Sequence, residues 1–586
     1  MNLPTPAIVA QSAVRRLPRA GLALLCLAYL LPGFIGRDPW RSADINAFGY
    51  MLGMAQGGTS WLTPVLAGYP AQPDALLPYW LGALAIQWGS PLLAADAAAR
   101  IPFVLLLALA LAATWQAVYG LARTRQAQPV VFAFGGEAQP ADYARAIADG
   151  GLLALIACLG LAMLAHETSP ALAQLAFSAL AFSAVVDFLR AKARAAASLM
   201  LALGGLALSG APAIAVLLGL GSSVIVGLHV GRYEDSPHSG REAAASHGDD
   251  FSGRAQPPAA ATDGRRRVLL VLLCTAVAAL LATGFDLWRW RIQPLPADLA
   301  QFKGLARLLL WFGWPATPLA IWTLWRWRRL WRSPHLALPL WLLSLAIATA
   351  LLTTAADRSL LLGLPALAAL AAFALPTLSR TVTAVIDWFT LLFFSGWALV
   401  VWVVWLAMQT GFPAKPAANV ARLAPGYTPE MSWLALVVAL AASLAWVALV
   451  RWRVGRHRAA IWKSLVLPAG GATLGWVLVM TLLLGPLNYS LSNTRLVRQI
   501  TAITSAAPGC AELRGLGPGL VTALRYHSRM RLETVSDSGC SWLLAVDNAS
   551  AVASTVDDNR WSAQGPVLYG PRGGEGVQVY RLLASR

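Results

Sequence analysis

Residues 383–408 read T-A-V-I-D-W-F-T-L-L-F-F-S-G-W-A-L-V-V-W-V-V-W-L-A-M, with Asp387 the one charged side chain in the run. As a helix rising about 1.5 Å per residue, such a run exceeds the roughly 30 Å of hydrocarbon in a bilayer. A soluble helix shows one apolar stripe, whereas this one is apolar on every side, so its solvent is lipid. Moving outward along the chain, similar runs lie near 20–35, 101–119, 151–166, 170–189, 197–209, 212–230 and 268–285. Others lie near 306–325, 336–354, 359–376, 432–451 and 464–485. Together they predict an all-α polytopic membrane protein with about 13 transmembrane helices.

Composition agrees. The chain has 586 residues, of which 58% are hydrophobic and 12% charged, and its mean hydropathy is +0.60. A soluble protein carries roughly twice that share of charge. In lipid, backbone polar groups must be satisfied internally, which leaves helices or a closed barrel. The short alternating strands of a barrel are missing from the sequence. The net charge of +18 does not imply nucleic acid as a partner, because the cations fall in short clusters between apolar runs, as in cytoplasmic loops.

Those clusters predict orientation. With Arg15, Arg16 and Arg19 inside, alternate loops carry Arg123, Arg125 and Arg145, then Arg190, Lys192 and Arg194, then Arg265, Arg266 and Arg267. Next come Arg326, Arg328, Arg329 and Arg332, then Arg380, and last Arg451, Arg453, Arg456, Arg458 and Lys463. The opposite loops are poorer in cations, although 286–305 holds Arg289, Arg291 and Lys303. The expectation is a multi-pass protein of a bacterial inner membrane, with a cytoplasmic N-terminus and a periplasmic C-terminus. Residues 20–35 read as a signal anchor, since no cleavage site of small residues follows them.

Within the membrane domain, expected over 1–486, two segments stand apart. Residues 36–100 form a long first periplasmic loop with interfacial helices. Residues 231–264, rich in Ser, His, Gly, Asp and Ala, read as a disordered cytoplasmic loop, and His238 and His247 there read as solvated side chains. Residues 487–586 are expected to form a small periplasmic α/β domain. It holds Cys510 and Cys540, which an oxidising compartment allows to pair, while spacing alone leaves the pairing open. Cys26, Cys158 and Cys274 read as packing residues.

The first loop is the richest in chemistry. It opens G-R-D-P-W-R-S-A-D, so Arg37, Asp38, Arg41 and Asp44 follow directly on the first span. A carboxylate beside cations at a membrane surface suits one reaction, the movement of a sugar from a lipid phosphate. The carboxylate polarises an acceptor hydroxyl, and the cations hold the anionic leaving group. These residues also admit a plain reading, in which they solvate a loop and fix its register.

The loop resembles that of the GT-C glycosyltransferases typified by protein O-mannosyltransferases and lipid A aminoarabinose transferases. Laid on this chain without a gap, the family's pattern places its Asp on Asp44, its Trp on Trp61, its Pro on Pro64 and its Gly on Gly68. It places its Leu on Leu77 and its Tyr-Trp pair on Tyr79 and Trp80, and Ala99 to Pro102 matches just before the second span. Trp311 to Arg329 resembles the family's aromatic and proline-rich span with a basic exit, and Asp357 to Leu370 its Arg-Tyr-Leu-Leu-Pro-type segment. His166 and Glu167 stand where relatives often carry an acidic residue.

The resemblance implies a polyprenyl-phosphate-sugar-dependent glycosyltransferase. Its partners would be a lipid-linked donor of the undecaprenyl phosphate type, membrane lipids, and a lipid A, envelope glycan or protein acceptor. It implies Asp44 as the catalytic base, with Glu167 second. Arg358, Arg41, Arg37 and Arg100 are candidates for the donor phosphate. Asp38, Asp74, Tyr79, Trp80 and His166 are candidate walls of the substrate cavity. No cofactor is implied with certainty; whether a divalent metal assists stays open, and no cluster of His, Cys, Asp and Glu has ligand spacing.

Two departures matter. The family's Asp-Glu is Asp44-Ile45 here, and its Glu-Lys-Pro-Pro is Pro73-Asp74-Ala75-Leu76. The Lys thought to engage the carrier phosphate is thus replaced by a charge of opposite sign, which repels phosphate. The alternative is therefore a catalytically inactive GT-C-like protein acting as a partner in envelope assembly. A secondary transporter fits less well, because the notable charges sit at helix ends and no internal repeat is evident.

Overall fold

The computed structural model describes residues 5–41, 43–71, 75–234, 259–288, 299–353, 356–454, 460–505, 509–528, 530–533, 539–546, 560–568 and 576–583. Asp74, most of the expected loop 231–264, and Arg289 and Arg291 lie outside these residues.

The chain is an all-helical membrane protein with a small sheet domain at its C-terminal end. Among the described residues, eight helices are long and apolar enough to cross a bilayer. They are Ala95–Ala122, Pro170–Leu189, Pro212–His229, Gly264–Gly284, Pro334–Leu352, Arg380–Thr410, Trp433–Arg453 and Lys463–Leu482. Each remaining stretch read as a span does hold helix, but in a short or broken form. Arg19–Leu30, Ala195–Leu208 and Leu364–Thr377 are apolar but short. The stretch 151–166 breaks at Cys158, which is extended between helices Pro140–Ala157 and Leu159–Leu164. The stretch 306–325 breaks between Leu299–Phe312 and Ala316–Arg326, at Gly313, Trp314 and Pro315, where proline cannot continue the hydrogen-bond ladder. The hydropathy count of 13 therefore exceeds the number of full-length helices among the described residues, because a break in a helix need not interrupt an apolar run.

Burial sorts the helices. Pro170–Leu189 and Lys463–Leu482 are central, with 89% and 83% of their apolar windows buried. Arg380–Thr410 and Trp433–Arg453 are 17% and 11% buried and present their apolar faces outward, as lipid-facing helices do. Small residues set the close approaches. Gly120 meets Val186 and Gly205 meets the Phe177 ring, so that an added β-carbon would strike each neighbour within 2.5 Å. Such small-residue contacts are how helices pack when lipid removes the hydrophobic drive.

Two sheets lie outside the helical body. In the first loop, β1 (Val65–Leu66) and β2 (Tyr69–Pro70) form a short antiparallel hairpin. The C-terminal sheet comprises β3 (Cys510–Arg514), β4 (Arg531–Glu533), β5 (Trp542–Val546), β6 (Trp561–Leu568) and β7 (Gly576–Leu582), in the order β4-β3-β5-β7-β6. The β3–β4 and β3–β5 pairs are parallel, and β5–β7 and β6–β7 are antiparallel. Helix Pro518–His527 supplies the crossover from β3 to β4 that parallel strands require. Helices Thr494–Thr504 and Pro518–His527 share a core with the sheet through Leu496, Val497, Ile500, Leu520, Val521 and Leu524. A disulfide joins Cys510 to Cys540, the pairing that the sequence left open.

The sheet domain sits directly on the first loop. A β-carbon on Gly49 would lie 2.1 Å from Thr522 Oγ1, and one on Gly519 would lie 2.8 Å from Asn46 Oδ1. Helix Ala43–Ala55, which carries Asp44, is thus pressed against helix Pro518–His527.

Candidate active site

The site is built where two broken helices meet the first loop. Leu159 N donates to Trp314 O at 3.1 Å, joining one helix break to the other. Irregular backbone within a membrane domain is tolerated where it is buried in protein or lines a cavity. A cavity of about 350 Å³ opens beside it, lined by Trp40, Arg41, Leu159, Gly160, Met163, Leu164, Glu167, Phe312, Asp357, Arg358 and Leu491. Its lining is mostly apolar and carries two cations and two carboxylates. Gly160 lets the Phe312 ring lie close, since a β-carbon there would meet the ring at 2.4 Å.

Glu167 and Arg358 form an ion pair in the lining of this cavity. Arg358 Nη2 donates to both carboxylate oxygens, at 3.2 Å and 3.0 Å. Arg358 N donates to Asp357 Oδ1 at 2.9 Å, which fixes the start of its helical turn. Glu167 is only 5% exposed. Burial pushes its carboxyl above the ordinary carboxylate range and the Asp44 charge adds to this, while Arg358 and Arg37 work against it. Arg41 holds its place on the rim through backbone carbonyls: its N donates to Leu491 O at 2.8 Å, and its guanidinium reaches Ser490 O and Leu491 O.

Asp44 is one layer deeper. Its Oδ1 accepts from Thr168 N at 2.9 Å and from Thr168 Oγ1 at 2.7 Å. Its Oδ2 accepts from Trp40 N and from Arg37 Nη2, each at 3.2 Å. Burial opposes its charge, yet Arg37, Arg100 and the Thr168 donors outweigh burial and hold the carboxyl below its ordinary range. Arg37, 1% exposed, donates to His166 O at 3.1 Å and stacks on the Trp40 ring at 3.9 Å. Asp44 and Arg37 together therefore tie the loop 37–44 to the turn 166–168 that carries Glu167.

The candidates thus separate into three groups. Arg41, Glu167 and Arg358 line the cavity. Asp44, Arg37 and the His166 backbone stand behind it and hold its parts in register. The His166 ring is itself packed against Tyr29, Phe34 and Trp476. The others lie away from the cavity lining. Asp38 accepts from Thr494 Oγ1 at 3.1 Å, and Arg100 pairs with Asp96 at 3.2 Å. Tyr79 packs on Tyr50 with ring centroids 5.3 Å apart, and Trp80 Nε1 donates to Trp61 O at 2.7 Å. Asp74 is outside the described residues. Sequence reasoning missed Trp40, Thr168 and the apolar part of the lining. For Thr168 a signal existed, since Thr-Ser-Pro before an apolar run marks a helix start. Among the described residues no group of three His, Cys, Asp or Glu side chains is placed to hold a metal ion.

No protein-family model matches the sequence, and no curated protein matches it either. The structure does find relatives. It is similar to the crystal structure of ArnT from Cupriavidus metallidurans in the apo state, at TM-score 0.56 and 14% identity, over 96% of this chain and 97% of that one. It is equally similar to ArnT from the same organism bound to undecaprenyl phosphate, at TM-score 0.55 and 15% identity, over 96% and 98% of the two chains. Over nearly its whole length, this chain carries a membrane-protein fold like that of ArnT.

Proposed function

We propose that the protein moves a sugar from a polyprenyl-phosphate-linked donor to a lipid A, envelope glycan or protein acceptor at the periplasmic face of a bacterial inner membrane. The observation that carries this reading is the mixed lining of the cavity, where Arg358, Arg41 and Glu167 stand among Leu159, Met163, Leu164, Phe312 and Leu491. An anionic head joined to a prenyl chain combines the same two characters. The undecaprenyl phosphate in the similar ArnT structure supports a lipid of this kind.

In the reaction, the bond between the sugar's anomeric carbon and the phosphate oxygen breaks, and its electron pair leaves with the phosphate. The acceptor oxygen bonds to that carbon and gives up its proton. Arg358 and Arg41 stabilise the charge growing on the phosphate; they stand in for the Lys that the Asp74 position lacks. A phosphate competing for Arg358 frees Glu167, whose raised affinity for protons suits a general base. Glu167 thus takes the part that the family resemblance gave to Asp44, and Asp44 anchors it through Thr168. The Cys510–Cys540 bond and the loop charges support a periplasmic sheet domain, with the membrane domain ending near 486 and a cytoplasmic N-terminus.

The direct test is turnover in liposomes holding a polyprenyl-phosphate sugar and lipid A. Release of polyprenyl phosphate with labelled acceptor is expected. Binding of undecaprenyl phosphate without turnover on a panel of sugars and acceptors would instead mark an inactive partner protein.

Two further outcomes are expected. Gly160→Ala drives a β-carbon into Phe312 and the ring toward the cavity. Overpacking of this kind costs about 1–3 kcal/mol of folding stability, so the melting temperature should fall, and with the ring displaced undecaprenyl phosphate should bind more weakly in a titration. The second concerns pH. Because the Glu167 carboxyl is raised, the folded state holds an extra proton between the ordinary carboxylate pKa and the raised one. The stability associated with that proton is therefore lost as pH rises through this window. As pH falls through the same window, Glu167 becomes neutral and releases Arg358. Undecaprenyl phosphate affinity should then rise in the wild type relative to Glu167→Gln. The lipid's own titration is common to both proteins and cancels in the comparison. Parallel pH profiles would contradict this.

A further inference from the structure

Three candidates outside the transfer chemistry stand out: buried His335, the Trp325–Arg332 cluster, and the contact between the first loop and Asn488. The first is not in the lining of the described cavity, and the second reads fully as a cytoplasmic charge cluster. The third is built from directed hydrogen bonds that converge on the cavity wall.

Asn488 belongs to helix Leu484–Leu491, at the junction between the last long helix and the sheet domain. Its Oδ1 accepts from Asp38 N at 3.1 Å and from Trp40 Nε1 at 2.9 Å, and its Nδ2 donates to Gly36 O at 2.9 Å. One amide thus holds both ends of the segment Gly36–Trp40. Gly36 has φ +70°, a left-handed conformation that favours glycine, and its carbonyl is thereby turned to Asn488. The contact continues beyond the amide. Trp40 forms a bridge with Ser492, Arg41 N donates to Leu491 O at 2.8 Å, and Thr494 Oγ1 donates to Asp38 Oδ2 at 3.1 Å. Trp40, Arg41 and Leu491 are all cavity walls.

We infer that Asn488 is a positioning residue, which clasps the loop Gly36–Arg41 to the sheet-domain junction and so sets Trp40 and Arg41 against the donor phosphate. The clasp needs both halves of the amide, since an acceptor is used twice and a donor once. Aspartate keeps the two accepted bonds and loses the donated one; alanine loses all three. The consequence for a donor rests on the function proposed above, but the clasp itself does not.

The experiment is hydrogen exchange on wild type, Asn488→Asp and Asn488→Ala, paired with undecaprenyl phosphate titration. In Asn488→Ala, exchange at Asp38 and Arg41 should quicken about tenfold, the scale of one lost hydrogen-bond anchor, while exchange in Pro170–Leu189 stays as in wild type. Undecaprenyl phosphate affinity should fall by a similar factor, with Asn488→Asp intermediate in both readouts. Unchanged loop exchange in Asn488→Ala would overturn the clasp. Faster exchange with unaltered lipid affinity would overturn its part in positioning. If wild type binds no undecaprenyl phosphate, the proposed function fails, and the clasp is still decided by the exchange rates.

Discussion

Arg358→Gln is expected to lower transfer by about 10²–10³-fold, the scale seen when one preorganised partner of a developing anion is removed. Arg358 and Arg41 are the two cations on the described cavity wall, and the Asp74 position supplies none. Arg41 is anchored to the carbonyls of Ser490 and Leu491, whereas Arg358 is held by a carboxylate that a phosphate can displace. The variant also leaves Glu167 buried without its partner; the carboxyl then takes up a proton, so folding is affected less than catalysis. Arg358→Lys keeps the charge and loses the planar fork, and should fall between wild type and Arg358→Gln. Initial rates with melting temperatures measured alongside check this. Near-wild-type turnover in Arg358→Gln would remove Arg358 from the phosphate site.

Asp44→Asn is expected to abolish transfer for a different reason. The carboxylate accepts four hydrogen bonds, two from Thr168, one from Trp40 and one from Arg37. An asparagine turns its NH₂ group toward one pair of these donors, whichever way the amide lies. It also leaves the Arg37 charge buried without its partner, and breaking such a pair destabilises by about 3–5 kcal/mol. The turn 166–168 and the loop 37–44 should then loosen together, carrying Glu167 and Arg41 off their positions. Melting temperature, undecaprenyl phosphate affinity and turnover should all fall. Lost turnover with intact melting and binding would return the base role to Asp44. Because the Asp44 carboxyl is depressed, its stabilising contribution is present above the ordinary carboxylate pKa. That contribution is lost as pH falls through the depressed value.

Much of the fold was legible because hydropathy reports directly on lipid exposure. The run 383–408 is helical and outward-facing, as its all-round apolarity required. The number of spans was not legible in the same way. Cys158 and the Gly313–Pro315 bend interrupt helices without interrupting hydropathy, and only tertiary contact shows that the two breaks meet. At the site, Glu167 and Arg358 were visible as charges at helix ends, where membrane proteins place few without a use. Their pairing was not visible, since nothing local links residues so far apart. Asp44 was visible as a carboxylate, but its depth was not: two of the four donors that enclose it come from a turn more than a hundred residues later. Asn488 gave no signal, because an amide in the polar stretch N-Y-S-L-S-N reads as loop polarity.

The proposed function depends on where an anionic lipid head settles, so the most direct measurement is a structure of this protein with undecaprenyl phosphate. The phosphate is expected between Arg358 and Arg41, with Glu167 released from Arg358 and the prenyl chain along Met163, Leu164 and Phe312. A phosphate bound elsewhere, with the Glu167–Arg358 pair still closed, would contradict the account.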